Sequence, residues 1–130
     1  MRILKIAAVM ACIVALPNMA SAAAKPAATT PDGAFKKFCA ICHSIEAGKN
    51  KGGPSLHNII GKKAGTVEGY KKYKGLKGAD FTWTEENLDV FIANPKKFVK
   101  ENTSNTRSGM TAKVKKAPDR ALVMEYLKSH

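Results

Sequence analysis

Cys39 and Cys42 stand two residues apart, and His43 follows the second thiol directly, in the stretch CAICH. Thiols at this spacing serve four kinds of chemistry. A thioredoxin-type redox pair sits beside a βαβ pattern, and this chain shows no alternating strand pattern. A structural zinc site takes four Cys or His ligands. Outside the N-terminal apolar run the chain offers only Cys39, Cys42, His43, His57 and His130, with no second close pair. A plain disulfide here closes a very short loop, so it constrains the unfolded chain little, and it leaves His43 without a part. Covalent haem attachment uses all three residues. Two thiols on one helical turn form thioethers to the two vinyl groups of one haem, and the adjacent imidazole is aimed at the iron. Cys39 and Cys42 are therefore the expected attachment points, His43 the expected metal ligand, and one covalently bound haem c the expected cofactor.

The 130 residues support one domain. Residues 1–22 read as a secretory signal peptide, with Arg2 and Lys5 at the start, the apolar run IAAVMACIVAL, and small residues ASA at the end. A membrane anchor is the rival reading, but a spanning helix needs about 20 apolar residues. Cys12 lies within that run and leaves with it. Removing Arg2 and Lys5 from the 22 basic residues leaves 20 against 10 acidic ones, a formal charge of +10. Residues 23–32 read as a flexible leader and 33–130 as the folded domain. So small a domain buries a modest core and gains from a cofactor at its centre.

The elements that must hold these groups read as helices and loops. Thr30 and Pro31 are suited to N-cap and first helical position, predicting a helix over residues 31–41 with Ala34, Phe35, Phe38 and Ile41 on one face. Glycines punctuate residues 43–78, which read as loops around a ligand with at most a helical turn at 56–60. Thr84 starts a helix through Leu88, Phe91 and Ile92 that ends near Asn94 and Pro95. PKKFV is a further short helix, KENTSNTRSGMT a polar loop, and residues 119–128 a final helix with Leu122, Val123, Tyr126 and Leu127 at helical spacing. The fold class is all-α, a few helices and long loops wrapped around the haem.

A haem iron with one histidine has a sixth position. Methionine there raises the potential of an electron-transfer site, and an open position admits ligands or oxygen chemistry. Met110 and Met124 are the candidates outside the N-terminal segment. Met124 falls among core positions of the last helix. Met110 follows Gly109 in a polar loop, where an apolar side chain has little reason to be held unless something binds it; an exposed loop methionine is the plainer alternative.

Taken in order, CAICHSIEAGKNKGGPSLHNIIGKKAG, WTEENLDVFIANPKKF, GM and ALVMEYLKS resemble the class I monohaem cytochromes c, similar to mitochondrial cytochrome c and its bacterial periplasmic electron-carrier relatives. The resemblance spans roughly residues 33–129. It implies an electron carrier rather than an enzyme, with Met110 as the sixth iron ligand. It also implies that the carbonyl of Pro54 accepts the imidazole N–H of His43, and that Trp83 donates its indole N–H to a haem propionate, unless Trp83 serves only in packing. Tyr70 or Tyr73 is the expected second propionate contact, and the local spacing favours Tyr73. Phe35, Tyr126 and Leu127 match the contact between first and last helices. Four features depart from the family. Phe91 replaces a tyrosine whose hydroxyl can reach the methionine sulfur. Lys62 replaces an arginine near a propionate. Met110 stands fifteen positions after Pro95, several more than in the mitochondrial form. Gly33 lies closer to Cys39 than the glycine usual in the first helix.

Lys49, Lys51, Lys71, Lys72, Lys74, Lys96, Lys97, Lys113, Lys115 and Lys116 flank the expected haem edge. Lysine runs commonly serve solubility alone, and no nucleic-acid motif accompanies these. The functional reading is a ring of positive charge that steers docking onto acidic surfaces of redox complexes. A cytochrome bc1-type complex, a terminal oxidase, a photosynthetic reaction centre or a periplasmic dehydrogenase would qualify. The expected product is a monomer without a membrane span, in the periplasm of a Gram-negative-type bacterium. The competing enzyme reading is a haem peroxidase or gas-binding protein with an open sixth site, and a thiol-disulfide oxidoreductase is a third.

Overall fold

The structure, a computed structural model, describes residues 28–130. The expected signal segment and the first part of the leader lie outside the described residues. Among the described residues four helices follow one another: α1 (Pro31–Phe38), α2 (Glu85–Ala93), α3 (Pro95–Asn102) and α4 (Ala117–Lys128). Among the described residues the only extended pairing is one antiparallel bridge between Lys63 and Thr82. The all-α expectation is met.

Local chemistry starts each helix. Thr30 accepts the Gly33 amide at 3.1 Å and Pro31 opens α1. Thr84 and Asn87 exchange side chain-to-backbone bonds of 3.2 and 2.8 Å at the start of α2, a capping box that satisfies two otherwise orphaned amides. Asn94 ends α2 and also caps α3, with Pro95 in the first turn. Pro118 lies in the first turn of α4, which begins two residues before the expected 119.

Two boundaries differ from the sequence expectation. The first helix stops at Phe38 rather than reaching Ile41, which is 83 % exposed instead of buried. The cause is a change of hydrogen bonding. The Ala40 amide reaches five residues back to Phe35, and the Cys42 amide only three back to Cys39. These turns break the 3.6-residue period, so Ile41 leaves the apolar face. The third helix runs past PKKFV to Asn102. Its last carbonyls are claimed by side chains: Asn102 Nδ2 donates to Phe98 O at 2.9 Å and Thr103 Oγ1 to Val99 O at 2.7 Å.

Helices α1 and α4 form the main interhelical contact, with the Phe35 and Tyr126 rings stacked at 4.6 Å. Helix α2 packs on α3 and α4. The Trp83 ring lies 5.0 Å from Phe91, 5.1 Å from Phe81 and 5.9 Å from Phe98, joining the 79–83 segment to α2 and α3. Such aromatic pairs add about 1 kcal/mol each beyond the area they bury. The loops of residues 43–83 therefore rest on a frame of these four helices, and a cleft opens between them and the helices.

Candidate functional site

The CAICH stretch leaves α1 through the tight turns just described. His43 donates its amide to Cys39 O at 2.9 Å, and the Gly53 amide donates to Cys42 O at 2.7 Å. Residues 39–43 are thereby clamped between α1 and the GGPSL loop. Cys39 is buried, Cys42 is exposed, and the thiols are not joined to each other. Burial pushes the Cys39 thiol up to about 12, with Cys42 adding to the shift.

His43 Nδ1 lies 2.8 Å from the carbonyl oxygen of Pro54. A carbonyl only accepts, so Nδ1 carries the proton and Nε2 keeps its lone pair for a ligand. Burial holds the imidazole below its ordinary pKa; the Pro54 bond opposes this and the nearby Lys51 charge adds to it. Both the depressed pKa and the fixed tautomer favour the neutral ring that metal coordination requires. Gly53 presses against this ring. A Cβ there would fall on His43 Cε1, 2.6 Å from Nδ1 and 2.8 Å from Nε2.

Cys39, Cys42, His43, Pro54, Tyr73, Trp83 and Met110 all line one cleft of about 250 Å³, together with apolar side chains such as Leu56, Leu88, Ile92 and Leu127. Every residue singled out in the sequence for the site is thus brought to one place. Met124 is not among the lining residues and is 7 % exposed, inside the core. Met110 is half-buried against that core, and its amide donates to Ser108 Oγ at 3.1 Å. Farther along, the Val114 amide donates to Ile92 O at 2.9 Å. Arg120 donates to Val114 O and Lys115 O at 3.2 and 2.9 Å and pairs with Asp89 at 2.9 Å. The segment after Met110 is therefore tied to α2 and α4.

The two tyrosines separate by what their hydroxyls do. Tyr70 donates its proton to Gly52 O at 2.9 Å. Tyr73 accepts from the Val67 amide at 3.2 Å and so keeps its own O–H to donate. Burial raises the Tyr73 pKa, which keeps that proton in place. Phe91 lines the cleft without a hydroxyl, and Lys62 reaches the His57 carbonyl at 3.0 Å instead of the cleft. Sequence reasoning missed Gly53, whose importance lies in the ring it touches. Asp89 and Arg120 were also missed; the only signal was an acid and a base on helices expected to pack.

The residues present fit a covalently held haem: an apolar slot, two thiols, an imidazole with a free Nε2, and a thioether. Among the described residues no group of three or more Cys, His, Asp or Glu side chains is placed to hold a metal ion by itself. A family model described as cytochrome c matches residues 32–130. The chain is 41 % identical over 92 residues to cytochrome c2 iso-2 of Magnetospirillum fulvum, covering 71 % of this chain and 91 % of that one. It is 40 % identical over 95 residues to cytochrome c of Gibberella zeae, covering 72 % and 85 %. The solved structure of cytochrome c2 from Rhodobacter sphaeroides superposes with a TM-score of 0.68 at 32 % identity, covering 76 % of this chain and 91 % of that one. The chain belongs to the cytochrome c family, electron-transfer proteins that carry one covalently attached haem c and are not enzymes.

Proposed function

We propose that this chain is an exported, soluble one-electron carrier whose haem iron is held by His43 and Met110. The observation that carries the reading is that Met110, and not Met124, lines the same cleft as Cys39, Cys42 and His43. The bound haem supplies a one-electron couple between ferrous and ferric iron. The protein supplies the rest. Cys39 and Cys42 would hold the group by thioether bonds, each S–H adding across one vinyl group, sulfur to one carbon and hydrogen to the other. Pro54 orients the His43 ring and raises its basicity through the Nδ1 bond. Tyr73 offers its free O–H, and Trp83 its indole N–H, to the propionates. The apolar lining excludes water and so favours the less charged ferrous state.

Residues 1–22 would direct export and be removed, residues 23–32 would form a leader, and residues 33–130 would carry the haem in the periplasm. No helix among the described residues is long and apolar enough to cross a membrane. The ferric holoprotein is expected to be low-spin, with the weak far-red absorption of an iron–thioether bond. A high-spin ferric spectrum would defeat the carrier reading in favour of an open sixth site.

All ten lysines flanking the expected haem edge are exposed, and Lys72 and Lys74 stand on the cleft rim. Acidic docking surfaces of respiratory or photosynthetic complexes, or of a periplasmic dehydrogenase, are the matching partners. The second-order rate constant with such a partner is expected to fall on the order of tenfold between low and physiological ionic strength. Stopped-flow rates across a salt series test this, and a flat profile would remove the steering role.

A further inference from the structure

The chain between Pro95 and Met110, fifteen positions apart, contains a stretch, residues 103–109, without a single apolar side chain. Such a stretch has no hydrophobic reason to lie on the protein, yet it is fastened along residues 74–77. Thr103 Oγ1 donates to Val99 O and accepts the Asn105 amide at 3.0 Å. Asn105 Nδ2 then donates to Gly75 O at 2.9 Å, with a longer approach of 3.4 Å to Lys77 O. These bonds join positions thirty and twenty-eight residues apart in the chain. The Arg107 carbonyl occupies the place a Cβ on Gly75 would take, and the two Val99 methyls would lie 3.0 Å from that Cβ. Gly75 is therefore the gap into which the loop settles.

The wall that receives the loop is also a wall of the site. Lys74, Gly75 and Leu76 line the cleft, as do Ser108, Gly109 and Met110. Beyond Met110 the chain is anchored again by the Val114 amide on Ile92 O and by Arg120. Met110 thus sits between two fastened points, the upstream one held by the Asn105 hydrogen bonds and the close seat at Gly75.

We propose that residues 103–109 form a docked strap that holds Met110 at the iron, with Asn105 as its positioning residue and Gly75 as its seat. The inference rests on the reading of Met110 as ligand. Releasing the strap raises the fraction of molecules in which Met110 has left the iron. An external ligand that binds only those molecules gains apparent affinity in proportion to that fraction.

The experiment is a spectrophotometric titration of the ferric holoprotein with imidazole. Loss of one well-made hydrogen bond predicts that Asn105→Ala binds imidazole about fivefold tighter than the wild type. Gly75→Ala, which lifts the Arg107 carbonyl, is expected to bind it at least about tenfold tighter. Asn102→Ala loses its bond to Phe98 O but leaves the strap intact, and its imidazole affinity is expected to stay at the wild-type value. Affinities of Asn105→Ala and Gly75→Ala within about twofold of the wild type would overturn the strap, as would an equal gain in Asn102→Ala. Met110→Ala separates the two readings. If it binds imidazole far more tightly while the strap variants do not, only the strap is lost; if it too matches the wild type, the ligand assignment falls and takes the strap with it.

Discussion

Met110→Ala is expected to abolish the far-red absorption of the ferric protein and to lower its midpoint potential by on the order of 0.2 V, a fraction of the roughly 0.8 V that axial ligands span. The thioether is a soft, neutral donor that favours ferrous over ferric iron, so its loss moves the potential downward. The variant should also turn wholly or partly high-spin, because no second methionine lines the cleft. Met124 is in the core and off the cleft wall. Phe91 stands in the lining with no donor atom. Absorption spectroscopy and a redox titration on wild type and variant read both effects. An unchanged spectrum and potential would remove Met110 from the iron. Met124→Leu supplies the contrast: a volume-conserving core swap that leaves the spectrum as it was and costs less than about 1.5 kcal/mol in stability.

Gly53→Ala is expected to destabilise the holoprotein by about 3 kcal/mol, whereas Gly52→Ala, one residue earlier, should change stability by less than about 0.5 kcal/mol. The difference is entirely local. A Cβ on Gly52 meets nothing within 4 Å, and one on Gly53 meets three atoms of the His43 ring. Neither partner has room to yield. The Gly53 amide is bonded to Cys42 O and its carbonyl to the Lys51 amide, while the imidazole is held on Pro54 O. Relief comes only by tilting the ring and weakening the Nδ1 bond, so the redox potential of Gly53→Ala should shift along with its stability. Denaturant unfolding of the two variants decides the matter. Equal effects at positions 52 and 53 would refute the close approach of Gly53 to His43.

The helices were readable because their signals are local. Thr30 with Pro31, Thr84 with Asn87, and Asn94 with Pro95 each lie within four residues of the amides they serve. The end of α1 was not readable in the same way. Apolar spacing continued to Ile41, but the turns at Ala40 and Cys42, clamped by the distant Gly53, overrode it. A similar limit applied to the loop before Met110. Composition marked it only as a polar loop, and the bonds to Gly75 that fasten it join residues thirty positions apart.

Residue chemistry by itself determined the kind of protein this is. Two thiols and an imidazole within five residues have one economical use, and that use depends on covalent reactivity and spacing along the chain rather than on fold. Which of two methionines faces the cleft, which tyrosine keeps a proton to give, and which of two neighbouring glycines cannot be replaced were decided only by tertiary structure. Each is a question of what lies a few ångströms away across the cleft, and such neighbours come from segments far apart in the chain whose approach no local spacing encodes.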